Sequence, residues 1–336
     1  MLYVTTRNNR DAYTVQRALS ENRGPDGGMY LPFRMPYFSL EELEELERQG
    51  FAPTVAAVLN RLFRTRLTGF DVEFACGRGP VRVRQLKHRI LVAELWHNPS
   101  GSYRGMENSL ISLLGGEKGG WARIAVRTAV LFGVYSVLGR EGIRGADLSL
   151  VSGDFSGPIS GVYARSWGLN IGNIVCACNE NRELWNLLSH GQLRTDAVCV
   201  STPVPQADVA VPVELERLIY EAGGTLEVQR YLDTCRRGGV YAPSDGVLSQ
   251  LCRGMRACVV SSQRLGTIIP SVYRTHGYLL SPDGALAYGA LQDYRAGTGR
   301  TGSVVLLEER SPLLDEGLVA GAMDVPASEL AGYISR

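Results

Sequence analysis

The 336-residue chain is long enough for one large domain or two ordinary ones, and its composition, 45% hydrophobic and 21% charged, argues against disorder. A formal net charge of +1 gives no general attraction to nucleic acid or to an anionic membrane, and no run approaches 18 consecutive apolar residues. Seven cysteines without a C-x-x-C pair, and an N-terminus without a signal-peptide pattern, predict a cytoplasmic protein with reduced thiols and no metal site.

The first 120 residues combine helices, strands and polar turns. Ser39 and Glu42 form a capping-box pattern that opens a helix, and Gly50 stands where such a helix ends. The remaining predictions for this part are, in chain order, a helix at 53–63, strands within 71–95, a polar turn at 96–104, a helix at 106–114 and a glycine-rich break at 115–120.

From residue 121 onward, helical and strand patterns alternate regularly. The predicted elements are a helix at 121–138, a strand at 148–151, a helix at 158–167, a strand at 173–178, a helix at 181–189, and later strands at 258–260 and 303–307. Alternation of this length predicts an α/β fold with a doubly wound, mostly parallel sheet.

A short loop, Gly153, Asp154, Phe155, Ser156 and Gly157, lies between one of these strands and the following helix. Small residues there leave backbone N–H groups free to face an anion, and the helix dipole favours a phosphate. The alternative is an ordinary strand-to-helix turn in which Asp154 or Ser156 caps the helix. A carboxylate within an anion cradle favours the ordinary turn.

Six stretches resemble threonine synthase, and they occur in that family's order across nearly the whole chain. They are GPDGGMYLP at 24–32, AELWHNPS at 93–100, WARI at 121–124, the loop sequence VSGDFSG at 151–157, CNEN at 178–181 and HGYLLSPDGA at 276–285. The resemblance implies a fold-type-II pyridoxal-phosphate (PLP) protein, like the β subunit of tryptophan synthase, with the cofactor in a cleft between two domains and the loop at 153–157 holding its phosphate.

The resemblance fails where the family carries its catalytic lysine, because Arg104 occupies that position. Arginine stays protonated and cannot form the Schiff base that the cofactor requires. The family also has a long segment after this helix, whereas only sixteen residues separate Arg104 from Trp121 here. We therefore expect a largely deleted cofactor-closing domain, a joining segment at 115–120, an N-terminal region at 1–85 and an α/β core at 86–336.

Other groups in the sequence replace the missing lysine poorly. Lys87 and Lys118 are the two lysines of the chain, and solvated surface positions are favoured for both. His97 is a candidate acid–base group, although its match to the family turn favours a local structural role. Arg104, if it points into the cleft, is expected to pair with Asp154 and close the old site.

Three hypotheses about function follow. The first is a threonine synthase-like protein without catalytic activity, which acts through a protein partner or a second copy of itself. The second is an active PLP-dependent threonine synthase or related carbon–oxygen lyase that uses O-phosphohomoserine. The third is a module that binds a small phosphorylated or otherwise anionic metabolite through Arg104 and the loop at 153–157, with PLP not held covalently.

Overall fold

The computed structural model describes residues 1–77 and 79–334. The strands are β1 Tyr3–Thr5, β2 Tyr30–Pro32, β3 Arg82–Leu86, β4 Ile90–Glu94, β5 Asp147–Val151, β6 Ile174–Cys178, β7 Leu193–Arg194, β8 Val240–Tyr241, β9 Met255–Val259 and β10 Val304–Glu308. The helices of the first half are α1 Val15–Ser20, α2 Leu40–Gln49, α3 Phe51–Phe63, α4 Gly69–Cys76, α5 Tyr103–Leu113, α6 Gly120–Arg140 and α7 Ser156–Ser166.

The second half of the chain is also rich in helices. They are α8 Glu183–His190, α9 Leu215–Arg237, α10 Asp245–Leu251, α11 Leu265–His276, α12 Pro282–Thr298, α13 Glu316–Met323 and α14 Ala331–Ile334. Single 3₁₀ turns occur at Pro205–Ala207, Ser262–Arg264, Pro312–Asp315 and Ala327–Glu329. Helix α9 is kinked at Gly224, which has a φ of +67°.

A six-stranded sheet in the order β3-β4-β10-β5-β6-β9 forms the centre of the fold. The strands from β4 to β9 pair in parallel, and the edge strand β3 pairs antiparallel with β4. The structure therefore confirms the predicted α/β architecture with a mostly parallel sheet. The carboxyl ends of β4, β10 and β5 meet at one edge, because neighbouring parallel strands end at the same side.

Both faces of the sheet are buried, as is usual for parallel sheets. Leu91 and Ala93 of β4 face the core beneath α6 and α7, whereas Ile90 and Val92 face the core beneath α11 and α12. Cys176 and Cys178 are fully buried in the first of these cores. These two thiols therefore act as small apolar side chains, as predicted.

The N-terminal region packs directly on the sheet-covering helices. Helices α2 and α3 lie against α6. The Tyr3 hydroxyl donates to the Leu62 carbonyl at 2.9 Å, and the fully buried Arg217 of α9 donates to the Tyr30 carbonyl. The division into a region at 1–85 and a core at 86–336 stays a prediction.

One local prediction is wrong. Residues 71–76 are not strand but part of α4, which begins at a capping box in which Thr68 and Asp71 bond each other's backbone N–H. The box at Ser39 and Glu42 is confirmed. Residues 114–119 form the whole connection between α5 and α6, and the residues that the structure describes in this stretch contain no further strand.

Helix α6 is long and apolar enough, by length and composition, to cross a membrane. However, 78% of its apolar 18-residue stretch is buried within the protein. Its side chains contact α3, α5 and α7. It is the central helix of the first core, and its apolar character is explained by that packing.

Candidate functional site

The candidate site lies in the crevice outside the carboxyl ends of β4, β10 and β5, where ligands of open α/β sheets bind. Two cavities of about 130 and about 210 Å³ share this crevice. Both are lined by Arg104 of α5, Arg123 and Arg127 of α6, and Glu309, which follows β10. We call these two cavities together the cleft.

Arg104 lies in the first turn of α5, and its side chain is exposed at the cleft. Among the residues that the structure describes, no hydrogen bond or ion pair engages its guanidinium. The neighbouring Tyr103 fixes the start of the helix, because its N–H donates to the Glu309 carbonyl at 2.6 Å and its ring is buried. Arg104 is therefore held at the cleft by its backbone and remains available to an anion.

Two arginines four residues apart on α6 form the wall of the cleft. Arg127 donates to Glu107 Oε1 at 2.7 Å and to both Glu309 carboxylate oxygens, at 2.9 and 3.2 Å. Its guanidinium also lies over the Tyr103 ring, 4.5 Å from the centroid. Arg123 pairs with Asp154, and its Nε lies 3.4 Å from Glu107 Oε1. This network was not predicted, although the i,i+4 spacing of two arginines in an otherwise apolar helix was a visible signal.

The glycine loop lines part of the cleft, and the Asp154 carboxylate lies within that lining. Asp154 Oδ1 accepts hydrogen bonds from the Ser156 N–H at 3.0 Å and from Ser156 Oγ at 2.6 Å. Burial raises the pKa of Asp154, but the Arg123 charge and the Ser156 hydrogen bonds outweigh it and hold the pKa below its ordinary value. A carboxylate of this protein thus takes an N–H donor that a phosphate would need.

The remaining loop residues divide into two groups. Gly153, Ser156 and Gly157 line the cleft, and Gly153 has a φ of +45° that only glycine adopts readily. Phe155 is fully buried in the core, and its N–H donates to the Ser152 carbonyl at 2.8 Å. Phe155 therefore offers the cleft no free backbone N–H, and its place in a phosphate loop stays a prediction.

The predicted ion pair between Arg104 and Asp154 is wrong. Both residues line the same cavity, but the partner of Asp154 is Arg123. The reason is tertiary: α6 crosses beside the loop and places Arg123 within contact distance of Asp154. Arg104 is left facing the cavity rather than closing it.

His97 and the two lysines lie outside the cleft. His97 Nε2 is 2.6 Å from Glu94 Oε2, and its ring lies against Trp96 with centroids 4.1 Å apart. These contacts agree with a structural role in the turn. Lys87 and Lys118 are exposed and do not belong to the cleft lining. The part of the chain that the structure describes therefore places no side-chain amine in the cleft.

Two buried carboxyl groups lie beside the cleft. Glu308, fully buried at the end of β10, accepts a hydrogen bond from the Ser281 N–H at 2.6 Å. Asp283, at the start of α12, lines the cleft, and Arg310 Nε lies 3.4 Å from its Oδ2. Burial raises the pKa of Asp283 to about 7 against the opposing Arg310 charge, and burial also raises the pKa of Glu308 well above its ordinary value.

Comparison with known proteins agrees with this geometry. Residues 2–76 match the family described as the threonine synthase N terminus. The threonine synthase of Pseudomonas aeruginosa is 27% identical over 177 residues, which are 52% of this chain and 37% of that protein. The chain is a threonine synthase-like protein.

Solved structures support the same fold for this threonine synthase-like protein. The structure described as PLP-bound threonine synthase from Brucella melitensis has a TM-score of 0.84 at 20% identity, and the match covers 100% of this chain and 95% of that one. Yeast threonine synthase has a TM-score of 0.82 at 13% identity, with 98% and 94% covered. These likenesses establish the fold-type-II PLP fold. The sequence match spans little more than a third of the Pseudomonas relative, so activity does not transfer with it.

Proposed function

We propose that this threonine synthase-like protein does not use PLP as a Schiff-base cofactor and does not make threonine. The observation that carries the proposal is the cleft lining, which contains Arg104, Arg123 and Arg127 and, within the described residues, no lysine. A Schiff base needs a neutral primary amine, and arginine supplies none. The chain's two lysines are exposed elsewhere and lack the burial that makes an amine reactive.

The residues of the cleft fit the cofactor of the relatives poorly in a second respect. PLP supplies an electron-withdrawing ring to its substrate when the protein holds its phosphate and its aldehyde. Here Asp154 presents a carboxylate in the loop and is neutralised by Arg123. Arg127 and Glu309 form a second ion pair in the same cleft. Two of the three cleft arginines are thus bound by carboxylates of the protein itself, which supports a protein that no longer depends on catalysis.

Spectroscopy tests this proposal directly. Protein mixed with PLP is expected to show no Schiff-base absorbance band and no PLP bound irreversibly after borohydride reduction. It is also expected to release no phosphate from O-phosphohomoserine. An Arg104→Lys variant serves as the matched comparison, because it restores an amine at the family position. A borohydride-fixed adduct on the unaltered chain, or threonine formed by it, would establish the active-enzyme alternative.

Anion binding is a second candidate function, favoured by the free guanidinium of Arg104 at the cleft. Inorganic phosphate is then expected to raise the melting temperature, and Arg104→Gln is expected to remove most of that rise, because the ligand loses its one uncommitted cation. The control is Arg66→Gln, a change that lies outside the cleft lining. Equal phosphate responses from both variants and the unaltered chain would reject Arg104 as an anion ligand.

The proposal includes how the protein acts and in which compartment. A non-catalytic protein of this kind acts through a protein partner or a second copy, in the cytoplasm, where the seven cysteines, free in the structure, stay reduced. We also propose that the segment that closes over the cofactor is shortened in this chain, which would contribute to the absence of activity. The short connection Leu114–Gly119 between α5 and α6 supports that view.

A further inference from the structure

A third cavity lies beside the edge strand β3 and shares no lining residue with the cleft. Its volume is about 200 Å³, and its lining includes Leu86 and Leu279 from the core beneath α11 and α12. The charged and aromatic residues of its lining include Arg84 on the edge strand β3, Glu94 at the end of β4, Trp96 and Tyr278. We call it the edge cavity.

Glu94 is a buried carboxylate with one closely bonded oxygen and one loosely paired oxygen. Its side chain is 5% exposed, and its Oε2 is bonded to His97 at 2.6 Å. Its Oε1 forms a long ion pair with Arg84, whose Nε is 3.7 Å away, and the Tyr278 hydroxyl interacts with the same carboxyl group. Burying a charge without close hydrogen bonds is costly, so a carboxylate oxygen whose charged partner is this distant favours a closer donor from a ligand.

Several other polar side chains of the wall can donate hydrogen bonds. Arg84 is half exposed and reaches the mouth of the cavity beside Glu94. Trp96 Nε1 is buried and has no hydrogen-bond partner among the described residues, and the equally buried Tyr278 hydroxyl interacts with the Glu94 carboxyl group without a close hydrogen bond. Buried polar atoms without partners are rare in folded proteins and often mark a site that a bound molecule completes. The indole and phenol rings also offer faces that attract a cation.

We propose that the edge cavity binds a small zwitterion, specifically a free α-amino acid with a small side chain. The ligand's ammonium group bonds Glu94 Oε1 beside the aromatic rings, and its carboxylate pairs with Arg84. A simple amine would form no ion pair with Arg84. A simple carboxylate would be repelled by the negative charge of Glu94. A volume of about 200 Å³ has room for a molecule as small as alanine.

Calorimetric titration of the whole chain without PLP tests the site independently of the cleft. Alanine is expected to bind, whereas acetate and ethylamine, which each carry one of its two charges, are expected to bind at least about tenfold more weakly. Equal binding of all three, or no binding of alanine, would overturn the proposal. A Schiff-base result at the cleft does not affect this outcome.

Two variants locate the binding in the edge cavity. Arg84→Gln is expected to weaken alanine binding about tenfold, and Arg82→Gln is the matched control. Arg82 lies two residues away on the same exposed strand, and it is not part of the cavity lining. Glu94→Gln keeps the side-chain shape and is expected to abolish binding, with a thermal melt to confirm folding. Arg84→Gln and Arg82→Gln variants that bind alanine equally would place the ligand elsewhere.

Discussion

Replacing Arg127 with methionine is expected to lower the free energy of unfolding by about 3 kcal/mol, since breaking a buried ion pair by removing one partner costs about 3–5 kcal/mol. Arg127 is 11% exposed and binds two carboxylates, Glu107, which is 3% exposed, and Glu309. Removing the Arg127 guanidinium leaves the carboxylates of Glu107 and Glu309 without this hydrogen-bond donor. Arg123 lies close enough to Glu107 to offset part of the loss, which places the expected value at the low end of the range.

Urea unfolding of the variant and the unaltered chain measures this difference. Arg48→Met is the matched control, because Arg48 pairs with Glu45 on the surface, with exposures of 67% and 53%. An exposed pair of this kind contributes only about 0–1 kcal/mol. Adding Glu107→Gln to Arg127→Met is expected to recover part of the stability by removing the unpaired buried charge. Equal losses from Arg127→Met and Arg48→Met would show that the network at the cleft does not hold the fold.

The sheet could be predicted from the sequence because its signal is local. Each buried strand is a short apolar run, such as Leu148–Val151, followed by a turn and a helix, and this pattern predicts parallel pairing. The failure at 71–76 has an equally local cause. Phe70 and Phe74 of α4 are exposed although they are apolar, so a buried strand is the wrong interpretation of this stretch. The capping-box pattern at Thr68 and Asp71 is the local signal for the helix.

The position of the site could be predicted from the sequence, but the ion pairs within it could not. The glycine loop and the turn before α5 follow strands that end at one sheet edge, so their meeting follows from topology. Which arginine meets Asp154 depends on the rotation of α6 about its own axis, and packing of its apolar residues under α3 and α7 fixes that rotation. The chain has 33 arginines, and nothing local marks Arg123 as the partner.

The edge cavity illustrates the same limit. Arg84, Glu94 and Tyr278 belong to an edge strand, an inner strand and a turn after α11, and Tyr278 lies far along the chain from the other two. In the sequence, Glu94 is marked only by the motif at 93–100. Its burial and its long ion pair with Arg84 depend on the pairing of the antiparallel β3 with β4.

Asp283→Asn is expected to change the pH dependence of stability in a defined direction. Burial raises the pKa of Asp283 from 3.8 to about 7, so the folded state holds more protons than the unfolded state between these values. This carboxyl group therefore makes the unaltered chain lose stability as the pH rises from about 4 to 7. At 1.36 kcal/mol for each pH unit, the loss amounts to about 4 kcal/mol, and asparagine, which does not titrate, avoids it.

Urea unfolding at several pH values between 4 and 8 measures the difference between the Asp283→Asn variant and the unaltered chain. The variant is expected to gain relative stability steadily across this range and to level off above pH 7. Glu308, whose pKa burial also raises, is present in both proteins, so most of its contribution cancels in the difference. Asp315→Asn removes the other carboxylate that contacts Arg310 and is expected to show no comparable gain. A difference that stays flat from pH 4 to 8 would mean that Asp283 is ionised throughout and that Arg310 neutralises it fully.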